Sequence, residues 1–247
     1  MKIDKYKKLR NGKYELTLDN LETMILYEDT ILKYNLLLAK NIGTNKKEVL
    51  DFDRKCDVYY VGLRYIKNRA RSKKEVYDKL VKEEYPLDYI NESIEKLEKQ
   101  VYINDSVYAR SFLNNKLITT SNGPYKIKQE MLKKGIDESI INNTLEDYKD
   151  EIQTEKIDKI VTRMIKSNRN KGNNLLKKKI NMELINQGFS KELIKESIES
   201  HEFGDDSDIA KREYEKLYKK LSNKYSGKEL EYKIKQKMYQ KGLVYEE

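Results

Sequence analysis

The chain has 247 residues and a formal charge of +9, with 38% charged and 38% hydrophobic residues, ten glycines and two prolines. That apolar share excludes a wholly disordered chain, while the charge density suits small stacked helical units better than one deep core. The single cysteine, Cys56, excludes an internal disulfide and offers no metal cluster; no signal-like or membrane-spanning run is visible, so the sequence reads as cytoplasmic.

Residues 1–50 differ from the rest. Tyr14, Leu16 and Leu18 alternate with polar residues, Asp19-Asn20 supplies a turn signal, and Met24 and Leu26 begin a second alternating run. This predicts a small β-containing module that ends with a short helix near Lys46–Leu50 and packs on the first helical unit. From about Asp53 the period changes to helical. A first repeat, residues 51–102, carries Val58, Tyr59, Leu63 and Ile66 on one helix and Val76, Leu80 and Val81 on the next. Ser72 and Glu75 are spaced as a capping box between them, and Tyr89, Ile90, Ile94 and Leu97 mark a third helix. The second repeat, 103–149, opens on an Asn104-Asp105 cap followed by Val107, Tyr108, Phe112 and Leu113. It restarts at Gly123-Pro124, with Ile127, Met131 and Leu132, then Ile140, Ile141 and Leu145. A third, 150–204, uses Ile157, Ile160, Val161 and Met164, then Leu176, Ile180, Leu184 and Ile185, then Leu193, Ile194 and Ile198. A fourth, 205–247, holds Ile209, Tyr214, Leu217 and Leu221, then Leu230, Ile234 and Met238, and is cut short.

One phrase punctuates the second helix of each repeat. It reads Val81–Tyr85, Leu132–Ile136, Ile185–Phe189 and Tyr239–Leu243, and its anchors Glu84, Gly135, Gly188 and Gly242 lie 51, 53 and 54 residues apart. Such a period predicts tandem three-helix repeats in a curved, elongated array. The glycine falls where a left-handed helix end is favourable without a β-carbon, so it reads as scaffold.

Positive charge recurs at matched positions. The stretch between the first and second helices lacks acids in every repeat, and holds Arg64, Lys67, Arg69, Arg71, Lys73 and Lys74 in the first copy. Arg110, Lys116, Lys126 and Lys128 occupy the second; Arg163, Lys166, Arg169, Lys171, Lys177, Lys178 and Lys179 the third; Lys219, Lys220, Lys224 and Lys228 the fourth. Aligned along one edge, they predict a ridge for phosphates, with salt-dependent and sequence-indifferent binding; a solvated lysine-rich face is the plainer alternative. There are twenty tyrosines and no tryptophan. Several, among them Tyr59, Tyr65, Tyr108, Tyr125 and Tyr218, lie near the basic stretches, where stacking on bases is conceivable, but most fall at core-packing intervals. Catalysis has little support. The lone His201 lacks a nucleophile or second ligand at recognisable spacing, Asp205, Asp206 and Asp208 read as a linker with a helix cap, and Lys40–Lys46 lacks the spacing of a phosphate loop. The chain is therefore read as a non-enzyme without cofactor or metal.

The segment Arg69-Ala70-Arg71-Ser72-Lys73-Lys74-Glu75 with Leu80, then Ile103-Asn104-Asp105-Ser106-Val107-Tyr108-Ala109-Arg110, then Gly123-Pro124 with Ile127, Met131, Leu132, Gly135 and Ile136, resembles the RecX family, bacterial regulators of the RecA recombinase. Glu84 departs from the family's usual glycine, and Asp19-Asn20 stands where Asp-Gly is typical. The resemblance implies a protein of DNA repair and homologous recombination, linked to the SOS response. It would bind the groove of a RecA–DNA filament, limit filament growth and strand exchange, and hydrolyse no ATP itself. RecA filaments and single- and double-stranded DNA are the implied partners of a monomer. Arg69, Arg71, Lys73 and Lys74 lead the contact candidates, then Arg110, Lys126 and Lys128, then the third-repeat set Arg163, Lys166, Arg169 and Lys177 to Lys179. Arg71 is also placed to pair with an acidic neighbour. A freestanding helical DNA-binding protein and a protein-interaction scaffold are the rival readings.

Overall fold

A computed structural model of the chain describes residues 1–42 and 46–244; residues 43–45 of the Lys40–Lys46 stretch lie outside the described residues. The chain is mainly helical with a small three-stranded N-terminal sheet, and it divides into two compact units. One holds Met1–Ala109 with Lys133–Asp137; the other holds Arg110–Leu132 and the chain from Glu138 on.

The sheet is an antiparallel meander of β1 (Ile3–Lys8), β2 (Lys13–Leu18) and β3 (Thr23–Tyr27), with Leu16 opposite Met24 and Tyr14 opposite Leu26. Leu16, Leu18, Met24 and Leu26 bury one face, as alternation predicts, together with Ile31 and Leu36 from the short helices α1 (Glu28–Lys33) and α2 (Leu36–Ala39). Strand β1 carries no such alternation: Ile3 is buried and the next five residues are exposed. A lysine-rich strand of this kind belongs at a sheet edge, where charge discourages further pairing. Asp19-Asn20 lies in a loop longer than the predicted tight turn. The Leu18 N–H donates to the Glu22 carbonyl, and Leu21 takes the left-handed conformation at φ 64°.

The helix expected to end near Leu50 does not stop there. Instead α3 runs unbroken from Lys46 to Asn68 and crosses the boundary expected at residue 50. No glycine or proline interrupts its first four turns, and two carboxylates on that stretch bind the sheet. Asp53 accepts from the Tyr27 N–H at 2.7 Å and the Thr30 hydroxyl at 2.7 Å, while Asp57 accepts from the Tyr27 and Tyr85 hydroxyls, both at 2.5 Å. The Tyr27 ring stacks on Tyr60 at 4.7 Å. The N-terminal module thus packs on the first helical unit, as predicted. Burial pushes the Asp57 carboxyl up, but the two tyrosine hydroxyls and nearby Lys13 and Arg64 more than offset this and hold it below the ordinary range. Burial, assisted by Asp29, lifts Tyr60 to about 12.

In the first unit, α3, α4 (Lys73–Lys82) and α5 (Leu87–Lys99) enclose Val58, Val76, Leu80, Ile90, Ile94 and Leu97. The predicted capping box is present: Ser72 Oγ accepts from the Glu75 N–H, and Glu75 accepts from the Ser72 N–H. Next come α6 (Asp105–Thr119) and α7 (Pro124–Lys133), with Asn104 capping α6 through the Val107 N–H at 3.0 Å and Pro124 at the first turn of α7. The second unit continues with α8 (Glu138–Leu145), α9 (Asp150–Ser167), α10 (Asn173–Gln187), α11 (Lys191–Ser200), α12 (Asp206–Leu221) and α13 (Gly227–Gln240). Most predicted stripe residues are buried, but the first residue of each repeated phrase is not. Val81, Leu132, Ile185 and Tyr239 are all exposed, as is Val107.

The repeated turns do take the left-handed conformation, at φ 73° for Gly135, 89° for Gly188 and 69° for Gly242, and even at Glu84, φ 60°. The three glycine turns also receive a second contact that the sequence did not disclose. The residue starting a second helix donates to the carbonyl just before the glycine of the following repeat: Ser72 Oγ to the Lys134 carbonyl at 2.7 Å in the first unit, and in the second unit the Gly123 N–H to Gln187 at 2.7 Å and the Gly172 N–H to Lys241 at 2.9 Å. These latches are tight. A β-carbon on Gly123 would lie 2.5 Å from the Gly188 carbonyl, and one on Gly172 would lie 2.1 Å from the Gly242 oxygen.

Candidate functional site

The leading candidates of the first unit converge on one carboxylate. Glu75 receives Arg69 Nη2 at 3.2 Å, Arg71 Nη1 at 3.9 Å and Lys134 Nζ at 2.9 Å while completing the capping box. Arg71 also stacks on Tyr65 at 4.0 Å and is largely covered, with its side chain 12% exposed. Burial raises the Glu75 carboxyl, but Lys134 and the Ser72 N–H outweigh it and leave the group below its ordinary range. Burial, then Glu75, pushes Tyr108 up to about 12. Lys73 pairs with Glu98 at 2.9 Å and Lys74 with Asp78 at 2.8 Å. The Lys73 N–H is taken by Asp105 at 2.8 Å, so the acid expected to start α6 also serves the start of α4. These four cations are already engaged, and Arg71 belongs to the packing of the repeat.

The second unit differs. On α7, Lys128 pairs with Glu138 at 2.5 Å and Asn142 at 3.1 Å, whereas Lys126 on α7 and Arg110 on α6 form no ion pair among the described residues. The third-repeat set is the most open. Arg163 and Lys166 lie on α9, Arg169 just beyond it, and Lys177, Lys178 and Lys179 on α10. All six are exposed, and none forms an ion pair among the described residues. Lys177 sits over the Phe203 ring at 4.7 Å, and Lys179 donates to Asn168 at 3.4 Å. Burial, then the neighbouring Lys179 ammonium, holds Lys171 below the ordinary lysine range.

Two cations missed in the sequence join this region. Arg212 and Lys216, one turn apart on α12, face Lys166 and Arg169 across a recess of about 370 Å³. Their i, i+4 spacing was legible, but α12 also carries Asp208 and Glu215, so no acid-free run marked it. Two of the three acids have structural employment: Asp205 caps α12 through the Ser207 and Asp208 N–H groups, and Asp206 accepts from the Asn173 N–H at 2.8 Å. His201 ends α11, with Nδ1 2.7 Å from the Ser197 carbonyl and Nε2 3.3 Å from the Thr162 hydroxyl. Cys56 is buried, which lifts its thiol to about 11. Among the basic-stretch tyrosines, Tyr59 and Tyr108 are buried while Tyr125 and Tyr218 are exposed.

The chain is similar to known proteins in sequence and fold. Residues 59–97 match the RecX first three-helix domain and residues 104–145 the RecX second three-helix domain. A Regulatory protein RecX of Streptococcus agalactiae serotype III is 32% identical, with all of this chain and 95% of the relative covered. The chain belongs to the RecX family. A Listeria monocytogenes serotype 4a Regulatory protein RecX is 28% identical over 95% of this chain and 88% of its own length. A crystal structure of regulatory protein RecX superposes with a TM-score of 0.72 at 26% identity, covering 81% of this chain and 99% of its own. RecX from Lactobacillus salivarius gives 0.58 at 33% identity, over 60% and 96%. RecX membership makes this a regulatory protein, and no helix among the described residues is long and apolar enough to cross a membrane.

Proposed function

We propose that this RecX-family protein regulates the RecA recombinase, binding the groove of the RecA–DNA filament and limiting its growth and strand exchange. The observation that carries the reading is the set of unpaired cations at the junction of α9 and α10, Arg163, Lys166, Arg169 and Lys177 to Lys179. Exposed cations without an internal acid need break no ion pair when they meet phosphates or carboxylates. Arg110 and Lys126 extend the set, while Arg69, Lys73, Lys74 and Lys128 must exchange an internal acid for an external one. In this reading the protein supplies binding energy and no chemistry.

The test is RecA-driven ATP hydrolysis and strand exchange with the full chain added at several salt concentrations, beside binding to bare single-stranded DNA. Inhibition with tighter binding to the filament than to bare DNA supports the reading. Equal or weaker affinity for the filament overturns it in favour of a freestanding DNA-binding protein, and affinity without any DNA dependence favours a protein scaffold.

A further inference from the structure

The recess beside α12 is not an isolated patch of charge. Its charged walls are Lys166 from α9, Arg169 just beyond it, and Arg212 and Lys216 from α12. Its one lining acid, Glu213, is buried and engaged by Lys241, so it cancels little of that charge. Arg212 donates its Nε to the Asp208 carbonyl at 3.1 Å, which aims the guanidinium and leaves its two terminal amines. Two guanidinium forks and two ammonium groups converging in this way fit phosphate oxygens, which guanidinium binds in pairs.

Arg169, Ile209 and Arg212 also line a second recess of about 210 Å³, walled by Ile165, Leu176 and Phe203. A cationic recess therefore adjoins a largely apolar cleft that holds one aromatic ring and the Lys171 side chain, and the same two arginines line both. We propose that this double recess holds one nucleoside phosphate, its phosphates between α9 and α12 and its base against Phe203. Lys177 covers one face of that ring, so a base stacks on the other. The amides in the cleft are already bonded: Asn173 donates to the Gly204 carbonyl at 2.7 Å and Asn168 to the Met164 carbonyl at 2.8 Å. The ligand is either a free nucleotide or one nucleotide of a single strand. The inference stands apart from the RecA reading, because it needs no recombinase.

The chain has no tryptophan, so Phe203→Trp provides a single indole at the proposed stacking position. At low salt, near about 50 mM, the variant is titrated with ADP, with inorganic pyrophosphate and with a short oligothymidylate. ADP or the oligonucleotide should quench the indole; pyrophosphate should not quench it but should compete. Quenching by ADP assigns the free nucleotide, and quenching by the oligonucleotide alone assigns the strand. Adding Arg212→Ala and Lys216→Ala should weaken quenching by about tenfold or more. No quenching by either nucleotide ligand, or quenching indifferent to the α12 substitutions, overturns the proposal. Calorimetry on the wild-type chain is the second measurement: ADP and the oligothymidylate both binding no tighter than pyrophosphate overturns the base cleft whether or not the tryptophan variant folds.

Discussion

Glu84 and Val101 both hold left-handed backbone, at φ 60° and 61°, though neither is glycine. At Val101 the end of α5 is a complete left-handed cap: its N–H donates to the Glu98 carbonyl at 2.8 Å and the Tyr102 N–H to Leu97 at 2.9 Å. A β-branched side chain is costly there, and it is exposed, so little packing goes with its removal. Val101→Gly and Glu84→Gly should each stabilise the protein by about 1 kcal/mol, read as a rise in the urea midpoint. Glu75 sets a pH dependence. Its carboxyl is held below the ordinary range in the folded chain, so its contribution is present above the unfolded carboxyl pKa, about 4.3, and is lost as pH falls through the lower folded value. The stability gap between wild type and Glu75→Gln should be widest at neutral pH and close below about pH 4, measured by thermal unfolding across pH. Arg71 and Glu75 were both visible in the sequence. Which acid Arg71 meets was not, because Lys134, remote along the chain, shares the same carboxylate.

At the scale of elements, the latches explain why glycine recurs and why one copy lacks it. A β-carbon on Gly188 would lie 2.6 Å from the Lys126 backbone nitrogen and one on Gly242 2.8 Å from Leu175 Cβ, because a preceding helix start is docked on each turn. Glu84 is exposed, and no helix start donates to its turn among the described residues, so a side chain has room. Gly172→Ala should therefore cost about 3 kcal/mol or more through collision with backbone. Gly227→Ala, which meets nothing within 4 Å, should cost about 1 kcal/mol for its left-handed φ alone. Similar destabilisation at the two sites in denaturant titrations would dismiss the latch. Helix periodicity, the capping box and the proline start were readable because each depends on neighbours within one turn. The docking of α3 on the sheet was not, since Asp53 accepts from the Tyr27 N–H, a β3 residue remote along the chain. Strand β1 was invisible for a related reason: an edge strand buries too little to alternate.

Across the whole molecule, the same basic composition serves two purposes. In the first unit Arg69, Lys73 and Lys74 are paired with Glu75, Glu98 and Asp78, whereas Arg163, Lys166, Arg169 and Lys177 to Lys179 in the second form no ion pair among the described residues. Alanine at Arg163, Lys166 and Arg169 together should flatten the salt dependence of single-stranded DNA binding, by about 0.7 in log–log slope for each phosphate left without its cation, with helicity unchanged. The same change at Lys73 and Lys74 should move stability more than the salt slope, and an equal slope change from both sets would refute the division. The sequence by itself determined the helical repeats, their period, their caps and the RecX resemblance, because these rest on local spacing and on side-chain type. Only the tertiary structure decided which positive charges are free. An ion pair or a recess is made by residues far apart along the chain, such as Lys134 with Glu75 or Arg212 facing Arg169, and counting lysines in one stretch does not reveal the acid or the cavity that folding brings beside them.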